Sequence, residues 1–188
     1  MPEALRNTRA MAANRRKERV LALDVRSSRV GFALFEGRDE LVDFGARSYA
    51  RRYGPLGATA RKQLIRLLNL HLPSLIVFRS AFTGSKSTRA RVRLVVELLR
   101  RIAKSRSVRL RFLSRKKVKS FFWAQALANK YAVAAHLADR YPDLAWKLPL
   151  AQRKPWQPEP YQMPIFDAAA VGISFLSIRR PRRETTDA

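Results

Sequence analysis

The chain predicts a mixed α/β domain: one five-stranded sheet, its first three strands antiparallel, with helices on both faces. Three observations predict it. Residues 20–49 hold three apolar runs whose connections are too short for a crossover, so they must form an antiparallel meander. Beyond them the apolar period lengthens to that of a helix, and strands alternate with helices. The 188 residues are 47% apolar, which suits one domain with a proper core.

The elements follow in order. Residues 20–25 (VLALDV) read as a short, buried aliphatic strand. RSSR is a tight connection to a second strand at 30–36 (VGFALFE). GRDE is a hairpin turn in which Gly37 takes a positive φ. The third strand, 41–49 (LVDFGARSY), is less apolar and so lies nearer an edge. Leu64, Leu67 and Leu68 then recur at helical spacing over 56–70, and Leu72-Pro73 stops that helix. SLIVFRS, 74–80, is apolar enough for burial on both faces, as in a central parallel strand. A basic helix over 88–104 places Val92, Val95, Val96 and Leu99 inward. VRLRFL, 108–113, alternates apolar and basic residues and predicts a half-exposed fifth strand. Ser114 is a good N-cap for SRKKVKSFFWAQALA. A further helix spans 129–141, closed by Pro142. Residues 143–163 form a long Pro- and Trp-containing loop, and 165–178 (IFDAAAVGISFLSI) an apolar last helix. Residues 1–18 and 179–188 read as basic disordered arms around a domain at 19–178.

Charge narrows the function. Thirty-nine Lys and Arg against 14 Asp and Glu leave a net +25. Such a field repels itself unless a polyanion relieves it. Nucleic acid fits, because each basic group that neutralises a phosphate releases a counter-ion. A membrane fits poorly, since the basic helices lack a sustained Trp/Phe/Leu face. With no Cys, disulfides, zinc knuckles and thiol nucleophiles are excluded, and the composition fits the cytoplasm. No apolar run approaches the ~20 residues that span a bilayer, and the N-terminus has no apolar signal core. No Gly-rich phosphate loop, Ser/His/Asp arrangement or nicotinamide fingerprint is present.

Asp24 stands alone in an apolar strand, and a buried ionised acid needs a partner: a metal ion, a basic side chain, or water at the strand end. Asp167 lies near the start of the last helix. This order of elements, with these two acids, resembles the RNase H-like fold, and within it the RuvC-type Holliday-junction resolvase family. VLALDVRSSRVGFALFE is similar to that family's first hairpin, with Gly31 in its second strand. LPSLIVFRSAF is similar to its P-D-x-x-A-I-E-x-x-F strand, RKKVKSFFWAQALANKYAV to its Val-Lys stretch and Lys-led helix, and IFDAAAVGISFL to its closing helix.

The resemblance implies magnesium-assisted phosphodiester hydrolysis by a carboxylate cluster. It places the first-strand acid on Asp24 and the later acid of the last helix on Asp167, both candidate catalytic and metal-binding residues. The family's fourth-strand Glu falls on Arg79, and the earlier acid of the last-helix pair on Pro164. Two readings stay open. In one, Asp24 and Asp167 keep a weakened magnesium site, rescued by a carboxylate such as Glu159 in WQPEPY. In the other, Arg79 has taken the metal's place, since guanidinium forks onto carboxylates. Arg79 bridging both acids favours the second; Glu159 turned in with them favours the first.

The candidate phosphate contacts are Lys86, Arg89, Arg93, Arg115, Lys116, Lys117 and Lys119, against a plain solvated helix face. Phe121, Phe122 and Trp123 read as core or a homodimer face, with base stacking as the alternative. His71 and His136 read as ordinary histidines, and Trp146 and Trp156 as anchors of the long loop. The expected function is binding of branched or double-stranded DNA by a RuvC-like protein with a degenerate nuclease centre. The alternatives are an active metal-dependent endonuclease and an RNA- or ribosome-associated binding protein. The resemblance favours DNA over RNA; the composition does not distinguish them.

Overall fold

The computed structural model describes residues 18–37, 39–49, 54–80, 84–127, 129–150, 154 and 156–179. Five strands form one sheet: β1 Arg19–Val25, β2 Arg29–Glu36, β3 Glu40–Ser48, β4 Leu75–Ser80 and β5 Arg109–Phe112. The helices are α1 Leu56–His71, α2 Lys86–Ser105, α3 Arg115–Trp123, α4 Lys130–Arg140 and α5 Met163–Ile178, with a 3-10 turn at Pro142–Lys147. The strand order is β3-β2-β1-β4-β5. β1, β2 and β3 pair antiparallel; β1–β4 and β4–β5 pair parallel. The predicted fold class is therefore observed.

Local chemistry sets the boundaries. Ser27 and Ser28 make the first turn, closed by the Arg26 N–H donating to the Arg29 carbonyl (3.1 Å). Gly37 takes φ 62°, as the second hairpin requires. α1 ends with Leu72 in the left-handed region (φ 45°), its N–H donating to the Leu68 carbonyl; Pro73 could not have continued the helix. Ser85, Ser114 and Asn129 cap α2, α3 and α4 by accepting from Thr88, Lys117 and Ala132 N–H groups. The Ser85 cap starts α2 two residues before the expected Thr88, because Lys86 and Ser87 complete its first turn.

Each sheet face has its own core. Leu21, Leu23, Phe32, Leu34, Ile76 and Phe78 pack against α1 and α2. Val20, Ala22, Ala33, Phe35 and Val77 pack against α3, α4 and α5. α5 is apolar on nearly every side, so it lies buried across β1 and β2 rather than on the surface. A Cβ on Gly31 would meet the Pro164 carbonyl oxygen at 2.0 Å, and one on Gly172 would meet the Phe35 ring at 2.2 Å. Glycine at these two points lets α5 approach the sheet closely.

Some expectations are corrected. The helix after Ser114 ends at Trp123, not near residue 128, and the long loop opens with the 3-10 turn. Trp146 and Trp156 do not pin the loop; they are 73% and 77% exposed. In the aromatic run Phe122 is core, but Trp123 is 53% exposed. His71 is buried on the Phe32 ring, and burial lowers its pKa. Apart from Glu18 and Arg179, the expected basic arms lie outside the described residues. No described helix is long and apolar enough to cross a membrane.

Candidate functional site

Strand register lays out the site. Asp24 on β1 is flanked by Gly31 on β2 and Arg79 on β4. Register partners on neighbouring strands point to the same face, and here that face is the one α5 covers. The start of α5 sits on Gly31, which brings Asp167, one turn further on, over Asp24 and Arg79.

Asp24 is fully buried. Its Oδ1 accepts from Arg79 Nε (3.0 Å) and Nη2 (2.7 Å), and its Oδ2 from Arg26 Nε (2.6 Å). Asp167 Oδ2 accepts from Arg26 Nη2 and from Lys130 Nζ (2.9 Å), with Arg79 Nη2 at 3.1 Å. Glu159 reaches in from the loop before α5, accepting from Lys130 Nζ (2.7 Å) and Arg26 Nη1. Three acids thus interlock with three bases, and the formal charges cancel.

The electrostatics follow. Burial would raise the Asp167 carboxyl, but Arg79, Lys130 and Arg26 outweigh it and hold it below the ordinary carboxylate range. Glu159 is held low in the same way by Lys130 and Arg26. Burial disfavours charge on Arg26 and Arg79 too, yet the neighbouring acids raise both pKa values. Asp167, Glu159, Arg26 and Arg79 therefore stay ionised at neutral pH.

Both discriminating contacts occur: Arg79 bridges Asp24 and Asp167, and Glu159 turns in beside them. Glu159 does not arrive as a spare ligand, because each of its oxygens already carries a base. Arg26 and Lys130 complete the network, and neither was singled out from the sequence. Arg26 had a signal: two residues after Asp24, it falls on the same side of an extended chain. Tyr49 holds Arg26 in place, since its buried hydroxyl contacts the carbonyls of Arg26 and Arg29 (2.7 Å for the latter). Burial, then the charge of Asp24, push the Tyr49 phenol up, so it stays a donor.

The donor set does not suit magnesium as it stands. A hard cation needs free carboxylate oxygens, and here Asp24, Asp167 and Glu159 all serve cations of the chain itself. Among the described residues no group of three or more His, Cys, Asp or Glu is arranged to hold a metal ion.

The predicted phosphate contacts occupy two helix starts. Lys86 and Arg89 open α2, with Arg93 one turn on, and Arg115, Lys116, Lys117 and Lys119 belong to α3; all seven are exposed. α2 follows β4 and α3 follows β5, so both start at the carboxyl end of the parallel strands, where Asp24 also lies. Arg115 and Lys119 further line a cleft of about 250 Å³ together with Arg79, Lys130 and Asp167. Lys116, Lys117 and the α2 residues are not among its walls.

No protein-family model matches the chain, and neither does any curated protein sequence. Solved structures do match. RuvC of T. thermophilus, in complex with a Holliday junction substrate, superposes with a TM-score of 0.61 at 16% identity, over 86% of this chain and 95% of that one. The yeast mitochondrial Holliday junction resolvase Ydc2 gives 0.59 at 14%, over 86% and 80%. The fowlpox virus resolvase, with its junction DNA, gives 0.52 at 10%, over 85% and 99%. The chain has the RuvC-type, RNase H-like fold. At these identities the likeness is one of fold. Within this RuvC-type sheet, β4 presents Arg79 beside Asp24, and α5 opens with Pro164 seated on Gly31. These are the two positions where the resemblance calls for acids.

Proposed function

We propose that this protein binds branched or double-stranded DNA through its basic face, and that its nuclease centre is degenerate. The contact that carries this reading is Arg79 bridging the two acids, 2.7 Å from Asp24 and 3.1 Å from Asp167. Three acids already balanced by three bases have no net charge with which to gather divalent ions, so the chain's own cations fill the role that magnesium fills in a metal-dependent nuclease. The net charge of +25, the exposed bases on α2 and α3, and neighbours solved on junction DNA support a DNA partner. Basic arms at 1–18 and 179–188 would add sequence-independent affinity.

Glu159 favours a second reading: an active endonuclease in which Asp24, Asp167 and Glu159 shed Arg26 and Lys130 to take up metal. Incubating a labelled four-way junction with Mg²⁺ or Mn²⁺ separates the two. The first reading expects binding without cleavage, in the wild type and in Asp24→Asn alike. Metal-dependent cleavage that Asp24→Asn abolishes would establish the second. Displacement of the junction by duplex RNA in preference to duplex DNA would instead point to the RNA-binding alternative.

A further inference from the structure

We propose that the cleft beside the ion-pair network holds a single unpaired nucleotide of the bound DNA, its base against Trp123 and its phosphate against Arg115 and Lys119. This rests on the DNA-binding reading and specifies which DNA is preferred.

The helical period of α3 builds the site. Val118 and Phe122 lie four residues apart and are buried. One residue round the helix, Arg115, Lys119 and Trp123 recur at the same spacing and line the cleft as a single ridge. Trp123 is 53% exposed, and the Lys119 ammonium lies over its ring, 3.8 Å from the centroid. The ammonium thus covers an indole face, and a phosphate that draws Lys119 off the ring would open that face to its own base.

Size and charge select the occupant. About 250 Å³ is just under the ~300–1,000 Å³ of ordinary small-molecule sites, so it suits one nucleotide and excludes a duplex. Apolar Val118, Phe122, Leu127 and Val133 also line the cleft. The cleft's acid, Asp167, is already shared among Arg26, Arg79 and Lys130, so it does not oppose a phosphate on the rim. Only an unpaired base can offer its face to an indole, because paired bases are stacked on each other.

The test compares two DNA duplexes of equal length, one fully paired and one with a single-nucleotide flap carrying 2-aminopurine, by anisotropy and fluorescence on the full chain. The wild type should prefer the flap by about five- to a hundredfold, the range of base–aromatic stacking, and quench the 2-aminopurine. Trp123→Ala should lose the preference and the quench while keeping its affinity for paired duplex, and Trp123→Phe should retain part of both. Equal affinity of the wild type for the two duplexes, or a preference unchanged in Trp123→Ala, would overturn the inference and leave DNA binding intact. Failure to bind either duplex would overturn the DNA-binding reading itself.

Discussion

Asp24 has no exposed surface, and each of its oxygens has its own arginine: Arg79 on Oδ1, Arg26 on Oδ2. A buried acid with such partners is satisfied as it stands, and removing one base would leave an uncompensated charge. Asp167 and Glu159 share this condition, and both are held below their ordinary values of 3.8 and 4.5. A carboxyl depressed in the folded state gives stability that is complete above its unfolded pKa and is lost as pH falls through the folded value. For these groups the thermal midpoint should therefore hold from neutral pH to about 4.5 and drop below it. Asp167→Asn should lower the midpoint at pH 7 and flatten the acid limb, as followed by circular dichroism; parallel acid limbs in the two proteins would contradict the ion-pair account. Asp24 was legible because an acid in an apolar strand stands out against its neighbours; Asp167 and Arg79 followed from the resemblance, and Glu159 from its place in the loop just before the last helix. Lys130 was not legible, because nothing local marks one base among 39 Lys and Arg.

The elements bring these side chains together through two close approaches. At Gly31 the backbone of Pro164 lies where a Cβ would go, so Gly31→Ala must push the start of α5, and with it Asp167, off the sheet. Overpacking of this kind costs about 1–3 kcal/mol, and in Gly31→Ala the rigid neighbour places the expected loss of stability near the upper end. Gly57 in α1 has nothing within 4 Å of its would-be Cβ, so Gly57→Ala should be neutral or stabilise by up to ~1 kcal/mol, the helix propensity gain. Urea unfolding of both variants checks the contrast; equal effects would mean that the α5–sheet contact is not tight. The meander, the buried β4 and the caps at Ser114 and Asn129 could be read from the sequence, because each rests on local pattern. The direction of Trp146 and Trp156 could not, because an irregular loop has no period to say which way a side chain faces.

For the whole molecule, the sheet gathers the candidate site residues at one end. β1, β4 and β5 run parallel, so Asp24 of β1 and the starts of α2 and α3 share their carboxyl side, where α/β sheets generally place ligands. If the seven predicted phosphate contacts on α2 and α3 all engage DNA, the logarithm of affinity should fall against the logarithm of salt with a slope of about −6. Lys116→Glu with Lys117→Glu should make the slope shallower by about 2. A slope near zero would sink every nucleic-acid reading. The central claim, that arginine stands where a metal would, is tested most directly by thermal unfolding with and without millimolar Mn²⁺. Arg79→Glu replaces +1 by −1 and takes the six-residue network from zero to −2. The wild-type midpoint should not respond to Mn²⁺, while Arg79→Glu should be destabilised without the metal and regain stability with it. A wild-type midpoint raised by Mn²⁺, with the rise abolished in Asp24→Asn, would contradict the account.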